Sequence, residues 1–137
     1  MNHPLIDRLI DEFHYPLVDA DNHDSILRDA TVCLFFSGDP KRYPEATDVA
    51  VVLPELAAAF EGQFTPAVVS RDVERQWQTE YGFNQWPALV FLRNGQYLGA
   101  ICKIRDWADY KDDIPAILAH HGKRSPGIGI PVTTQPA

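Results

Sequence analysis

Two stretches of this 137-residue chain hold residue types at spacings from which chemistry could be built. The first is Ser37-Gly38-Asp39-Pro40-Lys41-Arg42-Tyr43-Pro44-Glu45, where two carboxylates stand among two cations and an aromatic ring. Asp-Pro starts a turn, and Lys-Arg in such a loop is ordinarily solvated. The Asp39 carboxylate could also take a partner's guanidinium bidentately. The second stretch is Trp86-Pro87, directly ahead of an apolar run. A proline cannot donate into a ladder, so Pro87 belongs at a strand's first residue or on an edge.

Other chemistries find little footing. Cys33 and Cys102 lie far apart with no CxxC between them, inside apolar runs that suit inert packing. His120-His121 are adjacent and so cannot share a helix face, and placement near a helix C-terminal dipole accounts for them. His3, His14 and His23 have no mutual spacing, so no metal site is expected. No Ser-His-Asp arrangement, glycine-rich phosphate loop or aromatic-and-basic surface stands out, and no cofactor is expected.

The elements that must carry these stretches are legible from periodicity. Asn94-Gly95 is a hairpin signal, because both central residues of a type I′ turn need φ > 0. It joins two apolar strands at 88–92 and 97–104. TVCLFF at 31–36 is nearly unbroken apolar and suggests a central strand covered on both faces. A strand is expected at 65–70 and a short one at 16–19.

Helices are expected over 5–13, 22–30, 49–60, 73–81 and 107–121. Asp72 and Asp106 are candidate caps for the last two, and Gly82 closes the fourth. Trp77 anchors that fourth helix, and Trp107 belongs to the apolar set of the fifth. The loop after 31–36 should run to about Asp48. Pro54 should kink the third helix or mark its effective start, and Pro115 should break the last one. The order of elements requires parallel strands joined by a crossover, then an antiparallel hairpin. That is an α/β sandwich with a mixed sheet.

The net charge of -7, from 19 acids against 12 bases, argues against non-specific nucleic-acid or anionic-membrane binding. No apolar run approaches a membrane span, so no stable insertion is expected. The opening MNHPLIDRLIDEF has no charged-then-apolar signal layout, and a cytoplasmic protein is expected. Acids cluster at both ends: Asp7, Asp11, Glu12, Asp19, Asp21, Asp24 and Asp29 before residue 30, and Asp106, Asp109, Asp112 and Asp113 later.

Residues 31–119 resemble thioredoxin. TVCLFF is similar to the strand that delivers its redox loop, and YGFNQWPALVFLRNGQYLGA to the stretch around its cis-proline, with Pro87 in that place. The resemblance implies a three-layer sandwich spanning 1–121, in which 1–30 is a helical extension; residues 122–137, rich in proline and glycine and without periodicity, are expected to form an extended or disordered tail. It also implies a substrate groove beside Pro87, for which an exposed Trp86 with Phe36 and Tyr43 would supply the apolar part. The departure is as informative. Counting from TVCLFF, the redox cysteines would fall near Pro40 and Tyr43, where no thiol exists.

SGDPKRYPEATDVAVVLPEL closely resembles the HupG/HyaE/HoxO hydrogenase-expression proteins, which are thioredoxin-like without CxxC. Asp39-Pro40-Lys41-Arg42 followed by Pro44-Glu45 is the most specific piece. The resemblance implies a non-catalytic maturation chaperone for the membrane-bound uptake NiFe hydrogenase. Its implied partner is the twin-arginine signal peptide of the small-subunit precursor, bound before export, with other maturation proteins as further partners. The candidate contacts are Phe36, Asp39, Tyr43, Glu45, Trp86 and Pro87. Two alternatives stay open on sequence: a redox protein using Cys33 or Cys102 alone, and a structural subunit of a maturation complex.

Overall fold

The protein is described by a computed structural model at residues 3–28 and 30–120. The tail expected at 122–137, and His121 of the histidine pair, lie outside the described residues. In chain order the elements are α1 (Pro4–Asp11), β1 (Leu17–Val18), α2 (His23–Leu27), β2 (Thr31–Phe36) and α3 (Glu45–Ala59). There follow β3 (Thr65–Val69), α4 (Arg71–Tyr81), β4 (Ala88–Arg93), β5 (Gln96–Cys102) and α5 (Trp107–Leu118).

One mixed sheet runs β1-β3-β2-β4-β5. β2 lies parallel to β3 and antiparallel to β4, with Leu34 opposite both Ala67 and Val90. The strand period of two sorts its side chains to opposite faces. Cys33 and Phe35 enter a core shared with α1, α3 and α5. Val32, Leu34 and Phe36 enter another shared with α2 and α4. An apolar run without alternation is what a strand with two buried faces requires. The architecture is the thioredoxin-like sandwich, with helices on both faces of a mixed sheet.

Several local features follow from residue type. Asn94 and Gly95 both take positive φ in the β4–β5 turn. Gly82 ends α4 in the left-handed conformation, its N–H donating to the Gln78 carbonyl. α4 begins earlier than expected: Ser70 is its N-cap, accepting the Asp72 N–H at 3.3 Å, so Asp72 belongs to the first turn. Asp106 sits at the N-cap of α5 without a side-chain capping bond, and Trp107 is 41% exposed rather than anchored in a core.

Pro54 does not mark the start of its helix, and Pro115 does not break its own. α3 starts at Glu45, not near residue 49, and runs unbroken through Pro54; α5 runs unbroken through Pro115. In α3, Ala46, Val49, Ala50, Leu53 and Leu56 are all buried. Each large apolar member contributes about 1.5–3 kcal/mol, so together they outweigh one missing backbone bond. In α5 the carbonyl deprived by Pro115 belongs to exposed Lys111, where water can take its place.

The C-terminus of α5 is held by a side chain from β4. Arg93 donates through Nη2 to the Leu118 carbonyl at 2.7 Å and through Nη1 to the His120 carbonyl at 2.9 Å. Its Nε donates to Thr31 Oγ1 at 3.3 Å, so one planar fork joins β2, β4 and α5. A cation at a helix C-terminus also complements the macrodipole. Arg93→Ala is expected to lower stability by about 1–3 kcal/mol, since charged donors to carbonyls are lost. Arg93→Lys should restore only part, because a point charge cannot span three acceptors. Urea denaturation midpoints of the two variants check this; equal midpoints for wild type and Arg93→Ala would refute it.

Candidate functional site

β2 delivers the chain to a tight loop at the C-terminal edge of the sheet. Ser37 and Gly38 are buried there, and Gly38 takes φ +67. A Cβ on Gly38 would stand 2.9 Å from Tyr43 Cδ2 and 3.1 Å from Trp86 Cε3. Only glycine combines that dihedral with that closeness. Asp39 then organises the turn: its carbonyl accepts from the Arg42 and Tyr43 N–H groups, and its Oδ1 from the Lys41 N–H at 3.0 Å. The turn carries Tyr43 back over Gly38 onto Trp86, with ring centroids 6.0 Å apart and planes 27° from parallel.

Trp86 is supported from below. Phe83 packs edge-on against it at 5.2 Å, and Phe36 against Phe83 at 4.9 Å. Gln78 fixes the approach by donating to the Phe83 carbonyl at 3.0 Å. The Trp86–Pro87 bond is cis, as in the thioredoxin pattern, and the Pro87 carbonyl accepts the Lys103 N–H at 2.6 Å.

The opposite wall comes from α4. Arg71, Glu74, Arg75 and Gln78 share one helical face, and with Gly38, Asp39, Arg42, Tyr43 and Trp86 they enclose a pocket of about 450 Å³. Glu74 is 97% buried (3% exposed). Its Oε2 accepts the Gly38 N–H at 3.1 Å, and its Oε1 pairs with Arg71 Nε at 2.9 Å. Burial pushes the carboxyl above its usual range, opposed by the Gly38 N–H, the Arg71 charge and the Ser37 N–H. The Arg42 guanidinium lies 5.6 Å from the Tyr43 ring centroid. Neither Arg42 nor Arg75 forms an ion pair among the described residues.

The residues singled out from sequence therefore divide. Asp39, Tyr43 and Trp86 meet at one pocket, and Pro87 lies buried behind Trp86. Phe36 does not form part of an exposed apolar wall: it is 0% exposed, because the even positions of β2 face the second core. Glu45 is directed elsewhere. From the first turn of α3 its Oε1 accepts the Ile104 N–H at 2.9 Å, and its Oε2 meets Lys103 Nζ at 3.2 Å. The Ile104 N–H is the chief reason its carboxyl titrates below the usual range, with Lys103 adding to it.

Sequence reading did not single out Arg71, Glu74, Arg75 or Gln78. One signal was available: Glu74 falls between Val73 and Trp77, on the flank of the apolar stripe. The thiols are poorly suited to nucleophilic work. Burial drives the Cys33 thiol far above its usual range and also raises half-buried Cys102, against smaller lowering effects of the Gln85 N–H and Arg105. Among the described residues no cluster of three metal-ligating side chains occurs, and no helix is long and apolar enough to cross a membrane.

Comparison with known proteins gives a consistent set. Residues 5–110 match the profile of the family described as Hydrogenase-1 expression protein HyaE. The hydrogenase expression/formation protein HoxO of Azotobacter vinelandii is 48% identical over 131 residues, 95% of this chain and 88% of that protein. HoxO of Cupriavidus necator is 41% identical over 137 residues, 98% and 85% of the two chains. A crystal structure of a hydrogenase expression/formation protein HupG from Rhodopseudomonas palustris superposes with TM-score 0.55 at 42% identity. That match covers 76% of this chain and 95% of that one.

The two tethering carboxylates should leave opposite marks on stability. Glu74 is raised above the ordinary 4.5, so just above that value the folded chain binds more protons than the unfolded one. Stability should therefore fall as pH rises through that window. Glu45 is lowered below 4.5, so its contribution is full above that value and is lost as pH falls through the depressed one. Glu74→Gln should flatten the first slope and Glu45→Gln the second, read from urea midpoints between about pH 3 and 7. A Glu74→Gln profile that still declines upward through the same window would show the burial effect to be misassigned.

Proposed function

Because the chain belongs to the HyaE family of hydrogenase expression proteins, we propose that it is a non-catalytic maturation chaperone for the membrane-bound uptake NiFe hydrogenase. It binds the twin-arginine signal peptide of the small-subunit precursor in the cytoplasm and holds it before export. The observation that carries this reading is the loop after β2. The scaffold, the cis Pro87 and an aromatic wall are kept, while the positions where a thioredoxin holds its dithiol carry Pro40 and Tyr43. A groove without a nucleophile is a binding device.

A signal peptide offers a basic segment followed by an apolar one. Stacked Tyr43 and half-buried Trp86 present a firm apolar surface beside Pro87 for the second of these. Rigid aromatic anchors of this kind carry most of the affinity in peptide interfaces. The basic segment meets a chain of net charge -7, with Asp39 at the pocket rim and exposed Asp11, Glu12, Asp109, Asp112 and Asp113 elsewhere. Long-range attraction of this sort quickens encounter more than it tightens the complex. Asp39 already spends one oxygen on the Lys41 N–H and faces three arginines, so its own share is small.

Calorimetric titration of a synthetic small-subunit signal peptide tests the reading. Binding should weaken between low and high salt and when the paired arginines are made Gln. Trp86→Ala should weaken it about tenfold, and Asp39→Asn about twofold at low salt only. No binding to the folded wild-type chain would overturn the proposal.

A further inference from the structure

The pocket beside Trp86 has the wrong sign for the arginines of a signal peptide. Its walls hold Arg42, Arg71 and Arg75 against Asp39 and Glu74. Glu74 is buried, satisfied by the Gly38 N–H and paired with Arg71, so it neutralises one cation and offers nothing to a ligand. Asp39 is engaged by the Lys41 N–H. Arg42 and Arg75 remain without an ion-pair partner among the described residues, and exposed Lys41 precedes Arg42 in the loop.

A chain with 19 acids that leaves two guanidiniums unpaired in one concavity is not matching charge at random. The arrangement is also held in place. Arg42 is stacked over Tyr43, Arg71 is fixed by Glu74, and α4 supplies Arg75 one turn further on. Arg42, held over its ring, needs little ordering before it grips a planar anion, and Arg75 reaches the same space from the helix.

The geometry points to a carboxylate-binding pocket: an acidic side chain of a bound polypeptide enters between Arg42 and Arg75 while the apolar residue beside it lies on Tyr43 and Trp86. Only the polypeptide nature of the ligand rests on the proposed chaperone reading; the preference for an anion rests on the pocket. The site thus selects an acidic-apolar pair in a partner and excludes a basic residue at the same place. A twin-arginine segment, if bound, must lie outside it.

The test uses the full chain, labelled with nitrogen-15, and the acetylated, amidated tetrapeptide Gly-Phe-Glu-Gly, with counterparts carrying Gln or Lys for Glu. The Glu peptide should shift the Gly38 amide and the Trp86 indole signals. It should bind about tenfold tighter than the Gln peptide, and the Lys peptide should leave those signals unmoved. Arg42→Gln combined with Arg75→Gln, both exposed positions, should abolish the preference while the spectrum stays folded.

Equal binding of the Glu and Gln peptides, or a preference that survives the double variant, overturns the inference. Inorganic phosphate binding more tightly than the Glu peptide also overturns it, in favour of a free-anion site. The signal peptide titrated in parallel separates the two readings. Its binding without any Glu-peptide binding sinks the pocket alone, and the reverse result sinks the chaperone reading and keeps the pocket.

Discussion

A carboxylate taken almost wholly out of water governs the geometry of the pocket. An ionised Glu74 at 3% exposure is tolerable only because the Gly38 and Ser37 N–H groups and the Arg71 guanidinium all reach it. Those donors belong to two elements, so satisfying one side chain locks α4 against the loop after β2. The locked loop holds Gly38 at positive φ, and that glycine lets Tyr43 and Trp86 close over it. Phe83 and Phe36 complete the column down into the sheet. The aromatic wall thus rests on a buried carboxylate supplied by another element, α4.

Glu45 does the complementary work from the other side. It holds the turn after β5 through the Ile104 N–H and Lys103, and Lys103 in turn donates to the Pro87 carbonyl. Trp86 is therefore bounded by two acid-anchored segments, one before it in space and one behind. Both acids are occupied internally. The carboxylates of Glu45 and Glu74 hold structure, while the pocket itself is lined by Asp39, three arginines and the rings of Tyr43 and Trp86.

What was legible in the sequence is local, and what was not is long-range. TVCLFF announced a two-sided strand, Asn94-Gly95 a turn with two positive φ values, and Gly82 a left-handed cap, each through constraints acting within a few residues. Asp39, Tyr43 and Trp86 were found as a set because the thioredoxin pattern places them together. Glu74 pairs across 36 positions and Glu45 across 59, so their neighbours in sequence do not name the backbone groups they hold. Phe36 was assigned to the wrong side of its strand's work: an aromatic at a strand end reads as exposed or buried with equal ease. The prolines failed as breakers for a related reason, since tertiary burial of α3 outweighs a local rule.

The missing dithiol fits the electrostatics as well as the composition. A redox thiol at the start of α3 would rely on the positive end of the helix to favour its thiolate. Here the first turn already carries Glu45 and Asp48, and only Glu45 is matched by a lysine. A thiolate at position 43 would sit where an aromatic ring now covers Gly38. Losing the nucleophile and filling its place with Tyr43 are therefore one change in physical terms. The same volume and the same helix end cannot both present a reactive sulfur and support a stacked aromatic wall. That corner of the fold holds the aromatic wall.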